Sequence, residues 1–260
     1  MTQRDMITRS IFIVILALFS FQLLFFLTIM VVYRMYVSSV SVFISILFIF
    51  HFLLLFLLLK MKDYFKVIPD GYMLDHINFA NLLTMFRLSS LPTICFLFLL
   101  SRHYHINSIL LIFTTLAFLT DLFDGYLARK TKQITQMGKM LDSSSDYSVV
   151  FVISVVLFTF DLISQWFFLL ITFRLVFHAV GMALLFFKHE EIKFETTYLG
   201  KAAIFSAMTL YALKILSLLD FHISWYAIFL KYTEYLAGSI VFVSIFDKII
   251  FFKKKLSPQG

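Results

Sequence analysis

Residues 121–146 read DLFDGYLARKTKQITQMGKMLDSSSD and hold four aspartates between two long apolar runs. Asp121 and Asp124 are three apart and Asp142 and Asp146 four apart, so each pair shares one face of a helix. Four carboxylates at the ends of two apolar helices repel one another and are costly to bury unpaired. Hard divalent cations remove that cost, and an all-oxygen ligand set suits Mg²⁺, Mn²⁺ or Ca²⁺. Two helices that each offer a carboxylate pair can hold two metals, the arrangement that clamps a phosphoryl group during in-line displacement. Gly125 and Ala128 remove side-chain bulk on the Asp121/Asp124 face, so a ligand or a facing helix can approach closely. Arg129 offers a planar fork suited to diphosphate oxygens. Solvated acids at helix ends are the plainer reading, but ionisable groups at the edge of a membrane span are functional candidates by default.

The elements that must position these groups are hydrophobic helices. Of 260 residues 61% are hydrophobic and 14% charged, against roughly 25% charged in a soluble domain, so the chain reads as a polytopic membrane protein. Apolar runs cover 10–33 and 36–59 and predict a helical hairpin; the first is too long for a signal-peptide core and lacks a small-residue cleavage site. The polar stretch 60–76, with Pro69, Asp70 and Gly71, predicts a turn or linker and divides the chain into an accessory part, 1–76, and a catalytic core, 77–260. Further spans are expected at 78–100 (with a kink at Pro92), 106–127, 140–160, 166–187, 202–219 and 225–246. Residues 128–139 form a polar crossover, in which Gly138 lets the chain turn tightly. The expected fold is an all-α polytopic membrane protein, a six-helix core preceded by a two-helix N-terminal transmembrane hairpin, with each span long enough for a bilayer at about 1.5 Å per residue.

Basic residues fix the expected orientation. With the N-terminus cytoplasmic, Arg4, Arg9, Lys60, Lys62, Lys66, Arg129, Lys130, Lys132, Lys139, Lys188, Lys193, Lys201, Lys248 and the terminal lysines share its side, against Arg34 and Arg102 opposite. The positive-inside bias puts both termini and the aspartates at the cytoplasmic face. The formal charge of +7 reports this orientation, and nucleic acid is a poor partner for such a chain. The single cysteine, Cys95, rules out an intrachain disulfide and a cysteine metal site.

The pattern D-x2-D-G-x2-A-R-x8-G-x3-D-x3-D, filled at every position by Asp121, Asp124, Gly125, Ala128, Arg129, Gly138, Asp142 and Asp146, resembles the CDP-alcohol phosphotransferase (CDP-alcohol phosphatidyltransferase) family. Upstream, Asn81, Thr84, Arg87 and Pro92 form N-x2-T-x2-R-x4-P, which resembles the opening of the phosphatidylglycerophosphate synthase branch. The resemblance does not reach the first two helices. It implies transfer of a phosphatidyl or other phospho-alcohol group from a CDP-linked donor, such as CDP-diacylglycerol, to an acceptor alcohol such as glycerol-3-phosphate, with release of CMP. It implies two Mg²⁺ or Mn²⁺ ions on Asp121, Asp124, Asp142 and Asp146, with Asp146 also the general base. Asn81, Thr84, Asp124, Gly125, Ala128, Arg129 and Gly138 would hold the nucleotide and diphosphate, the lipid portion would lie open to the bilayer, and the assembly would be a homodimer.

In the same branch an arginine in the 166–187 span, a second arginine eight residues on, and a Gly-Lys before the next helix bind the acceptor's phosphate. Arg174 and Lys201 match, but Met182 stands at the second arginine position, which removes one charge-assisted partner for a dianionic phosphate. That gap, with Glu190, Glu191 and Glu195 nearby, leaves open an aminoalcohol phosphotransferase moving phosphocholine or phosphoethanolamine onto diacylglycerol. A divalent-cation transporter is the rival from another class, although its site would be expected near the midplane at an internal repeat. His178, four residues after Arg174, reads as a packed histidine, and Lys231 with Glu234 as a mutual pair inside the bundle.

Overall fold

The structure, a computed structural model, describes residues 2–68, 70–188, 197–217 and 225–256; within its helices the side chains of 37–39, 121, 122, 183, 185–188, 255 and 256 lie outside the description. Pro69, Glu190, Glu191, Lys193 and Glu195, singled out in the sequence, also lie outside the described residues. The described chain is all-helical: α1 (Gln3–Tyr33), α2 (Val37–Lys60), α3 (Phe79–Ser89), α4 (Leu91–Ser101), α5 (Asn107–Lys130), α6 (Gln136–Thr159), α7 (Gln165–Lys188), α8 (Tyr198–Leu216) and α9 (Tyr226–Leu256). Among the described residues, eight helical stretches are long and apolar enough to cross a membrane, with α3 and α4 together making one of them. Large side chains such as Phe52, Leu53, Phe56 and Leu57 on α2 are exposed, which suits lipid rather than water as the solvent of that surface. The chain is an integral membrane protein of the expected class, a two-helix hairpin ahead of a six-span core.

The helices fall into two compact units, Met1–Ser145 and Asp146–Gly260. In the first, α1 begins with a capping box: Thr2 accepts the Asp5 amide while the Asp5 carboxylate accepts the Thr2 amide. Ile7, Ile11, Ile15 and Leu18 of α1 and Leu54 and Leu58 of α2 join Phe65, Val67, Leu74 and Ile77 of the linker, Met85 of α3, and Met137 and Leu141 of α6 in one buried core. A buried polar clamp adds direction, since Gln22 Nε2 donates to Ser90 Oγ (3.0 Å) and Thr93 Oγ1 donates to Gln22 Oε1 (2.7 Å). The hairpin is therefore a buttress for α3 and α4, beyond any role as an anchor.

The kink expected at Pro92 is a break between two helices at Ser90. Proline cannot donate to the preceding turn and fits the first turn of a helix, so α4 starts there and α3 ends just before it. The linker is likewise more than a spacer. Gly71, at φ +74°, closes a turn in which Lys66 pairs with Met73, and the strand-like edge then bonds to the α5–α6 crossover: Ile68 N–H to Ile134 O at 2.8 Å and Gln136 N–H to Lys66 O at 3.0 Å. The crossover is short, 131–135, because both flanking helices run further than the polarity of 128–139 suggests.

In the second unit Phe167 and Ile171 of α7, Ala203, Ala207 and Tyr211 of α8, and Val241 of α9 are buried. The Ser154 and Tyr211 hydroxyls are bonded to each other. Glu234 does not pair with Lys231, which is exposed; its carboxylate meets Lys214 of α8 at 2.8 Å and accepts from the Ser164 amide and hydroxyl. Desolvation decides this. A carboxylate turned into the bundle takes a cation that is also buried, and an outward-facing neighbour three residues away cannot serve.

Candidate active site

Asn78 starts α3 from an extended conformation, its side-chain oxygen accepting the Asn81 amide at 3.0 Å, while its Nδ2 donates to Gln133 O in the crossover at 2.9 Å. Spacing of three then carries Asn81, Thr84 and Arg87 along one buried side of α3. Asn81 and Thr135 bond through both of their side chains, Asn81 Nδ2 to Thr135 Oγ1 at 3.1 Å and Thr135 Oγ1 to Asn81 Oδ1 at 3.2 Å. Thr135 also accepts the Gly138 amide at 2.8 Å, which caps the start of α6.

Gly138 lies inside α6 and does not make the turn expected of it. The turn falls at Lys132, at φ +55°, in a Schellman ending of α5: Lys132 N–H reaches Arg129 O and Gln133 N–H reaches Ala128 O. What Gly138 supplies is space, because an added Cβ would lie 2.5 Å from Asn81 Oδ1 and 2.9 Å from Thr135 Oγ1. Gly138→Ala is expected to displace Asn81 and cost about 1–3 kcal/mol, read as a lower melting temperature of the detergent-solubilised protein; unchanged melting would mean that the contact yields freely. Gly125 acts in the same way for Arg129. The exposed guanidinium folds back over it, with Nη1 3.3 Å from where a Cβ would be.

Deeper in, Thr84 Oγ1 donates to Asp124 Oδ2 at 2.8 Å. Arg87, with no exposed surface, donates from Nε to Ser145 Oγ at 2.7 Å and from Nη2 to Asp142 Oδ1 at 3.1 Å, and Nη2 stands 3.9 Å from Asp124 Oδ2. Three segments far apart in sequence thus meet, and carboxylates from α5 and α6 converge on one positive charge. Asp124 is buried whereas half of the Asp142 side chain is exposed, so the pair opens toward one side. Oxygen donors gathered around a cation fit a hard divalent ion, with the guanidinium as the stand-in charge. Among the described residues no three carboxylate, histidine or cysteine side chains gather, and the Asp121 side chain lies outside the description. Asp146 follows Asp142 by one turn of α6 and is partly buried, in the second unit.

The second unit has its own charged cluster. Arg174, 1% exposed, donates from Nε to Ser244 Oγ (2.7 Å) and from Nη2 to Gly200 O (2.9 Å), with its guanidinium 5.9 Å from the centre of the Tyr147 ring. His178 is packed as the sequence suggests, stacked on Tyr147 at 4.3 Å. Lys201 is exposed in the first turn of α8, and the lysine buried against Gly200 is Lys248 of α9. Arg87 and Lys248 are the residues to which sequence reasoning assigned no role in a site. Arg87 continues the three-residue spacing of Asn81 and Thr84, and Lys248 interrupts an apolar run; those were the signals for each.

A family model described as CDP-alcohol phosphatidyltransferase matches residues 77–233. The CDP-diacylglycerol–glycerol-3-phosphate 3-phosphatidyltransferase of Cereibacter sphaeroides is 37% identical over 100 residues, 37% of this chain and 45% of that one. The protein of the same name from Rickettsia typhi is 35% identical over 88 residues (34% and 49%), and that from Aquifex aeolicus 30% over 147 residues (55% and 79%). The chain spans about half the length of the first two of these relatives and more than three quarters of the third.

Proposed function

The chain belongs to the CDP-alcohol phosphatidyltransferase family, and from that premise we propose that it transfers the phosphatidyl group of CDP-diacylglycerol to glycerol-3-phosphate and releases CMP. The acceptor and donor are those in the names of its relatives. The observation that carries the reading is the Thr84–Asp124–Arg87–Asp142 cluster, which draws the α3 residues and the aspartate motif into one polar centre between apolar helices.

In this reading Asn81, Thr84, Gly125, Ala128, Arg129 and Gly138 form the nucleotide and diphosphate cradle. Arg129 lies free to turn its fork to phosphate oxygens, and Gly125 leaves it room. Thr84 fixes the rotamer of Asp124 from the buried side. The acceptor hydroxyl oxygen bonds to the donor's β-phosphorus while the bond from that phosphorus to the CMP oxygen breaks. Asp146 takes the hydroxyl proton. Asp121, Asp124, Asp142 and Asp146 would hold Mg²⁺ or Mn²⁺, which would supply positive charge for the diphosphate and the departing CMP. Arg174 and Lys201 belong to the acceptor side, the active site and both termini face the cytoplasm, and the protein works as a homodimer.

The test is CMP release by purified protein in detergent, with CDP-diacylglycerol, glycerol-3-phosphate and Mg²⁺ or Mn²⁺. Release should need all three and stop on chelation. Release only from CDP-choline or CDP-ethanolamine with diacylglycerol would replace this reading by the aminoalcohol one. Divalent-cation uptake into proteoliposomes without CMP release would replace it by transport.

A further inference from the structure

The cluster around Gly200 holds more buried positive charge than its partners account for. Arg174 and Lys248 are each 1% exposed. Arg174 Nη1 and Lys248 Nζ have no hydrogen-bond partner, nor has Nδ1 of His178, one turn along α7 from Arg174. The two cations share surroundings. Arg174 reaches the Gly200 carbonyl and the Ser244 hydroxyl; Lys248 is one turn of α9 beyond Ser244, and its Cε lies 3.2 Å from the position of a Gly200 Cβ. Lys248 otherwise faces the Phe251 ring at 5.4 Å. Asp247, beside it in the chain, is partly buried, and its Oδ2 also lacks a hydrogen bond. Two like charges taken out of water, each with an idle donor, are a costly arrangement unless an anion completes it.

On the reading given above, we propose that Arg174 and Lys248 form a socket for the phosphate monoester of the acceptor, Lys248 on α9 supplying the second cation that α7 lacks at Met182. A phosphate monoester carries nearly two negative charges and three terminal oxygens, enough for a guanidinium fork and an ammonium together. Arg174 is already oriented by two hydrogen bonds, so its free Nη1 costs little to engage. Gly200 lets Lys248 pack close, since an added Cβ there would lie 3.2 Å from Lys248 Cε and 2.8 Å from Thr197 Oγ1. The socket selects a phosphorylated alcohol over a neutral or cationic one. It also gives the missing arginine a physical explanation, since the charge has moved from one helix to another.

The experiment compares wild type with Lys248→Met, Lys248→Arg and, as a surface control, Lys254→Met. Two readouts are taken in detergent: melting temperature with inorganic phosphate or with CDP, free of any anionic lipid, and initial rates against glycerol-3-phosphate and CDP-diacylglycerol, with no other anionic lipid added. Phosphate should raise the melting temperature of wild type, Lys248→Arg and Lys254→Met and leave that of Lys248→Met unmoved, while CDP protects all four. The KM for glycerol-3-phosphate should rise about 10- to 100-fold in Lys248→Met, as for one lost charge-assisted bond, with the donor KM unchanged. Phosphate protection of Lys248→Met equal to wild type would overturn the proposal, as would failure of Lys248→Arg to keep the low KM. Protection by phosphatidic acid in mixed micelles but not by soluble phosphate would also overturn it, assigning the socket to a lipid headgroup. Phosphate protection that depends on Lys248, in a protein releasing no CMP from any donor, would leave the socket standing and sink the transferase reading.

Discussion

Asp146→Asn is expected to reduce CMP release by about 10²–10⁴-fold, the contribution of a positioned general base, while the donor still binds with affinity within a few-fold of wild type. The substitution keeps the size of the side chain and its carbonyl acceptor and removes the group that takes the acceptor's proton. It also removes one anionic metal ligand, so binding and rate must be measured separately. CDP-diacylglycerol binding is measured by equilibrium methods at saturating Mn²⁺, and CMP release in a single turnover under the same conditions. A large loss of rate with retained binding is the signature of a base. Equal losses in both would make Asp146 a ligand alone, and normal turnover would remove it from the chemistry. Asp146 is suited to this test because it stands one turn beyond Asp142 on the same helix, α6.

What the sequence made legible follows from local rules. Hydrophobic length gave eight spans, and fixed spacing put Asn81, Thr84 and Arg87 on one side of α3 and the aspartates near the facing ends of α5 and α6. Pro92 marked a discontinuity, although a first-turn proline begins a helix rather than bending one. The rest depended on neighbours distant in sequence. Glu234 takes Lys214 from another helix instead of Lys231 three residues away. Gly138 answers to the Asn81 side chain, and the tight turn falls to Lys132, for which no glycine rule would look. Lys248 counted only as one more basic residue marking orientation, because nothing in one dimension shows that α9 turns it toward Gly200 and the helix carrying Arg174 does the same. Polar groups inside apolar helices are visible in a sequence, but their partners are chosen by packing.

The same dependence makes Arg87 a sensitive structural position in the first unit. Arg87→Leu keeps most of the volume and deletes the charge that stands between Asp124 and Asp142. Replacing a whole buried ion pair with apolar groups can be neutral, because the desolvation cost leaves with both partners. Here only the cation leaves. Asp124 remains buried, bonded to Thr84, and faces a second carboxylate without the guanidinium between them. The expected cost is about 3–5 kcal/mol, that of breaking a buried pair from one side, read as a drop of several degrees in melting temperature in chelator. Millimolar Mg²⁺ or Mn²⁺ should restore more stability to Arg87→Leu than it adds to wild type, since a divalent ion can take up the charge vacated by the guanidinium. Arg87→Lys should fall between the two: its ammonium keeps the charge but cannot hold Ser145 and Asp142 together as the fork does. If Arg87→Leu melts as wild type does in chelator, the carboxylates are not held by Arg87. If it melts lower but gains nothing from divalent ions, the vacated position is no cation site, and the metal assignment of Asp124 and Asp142 falls with it.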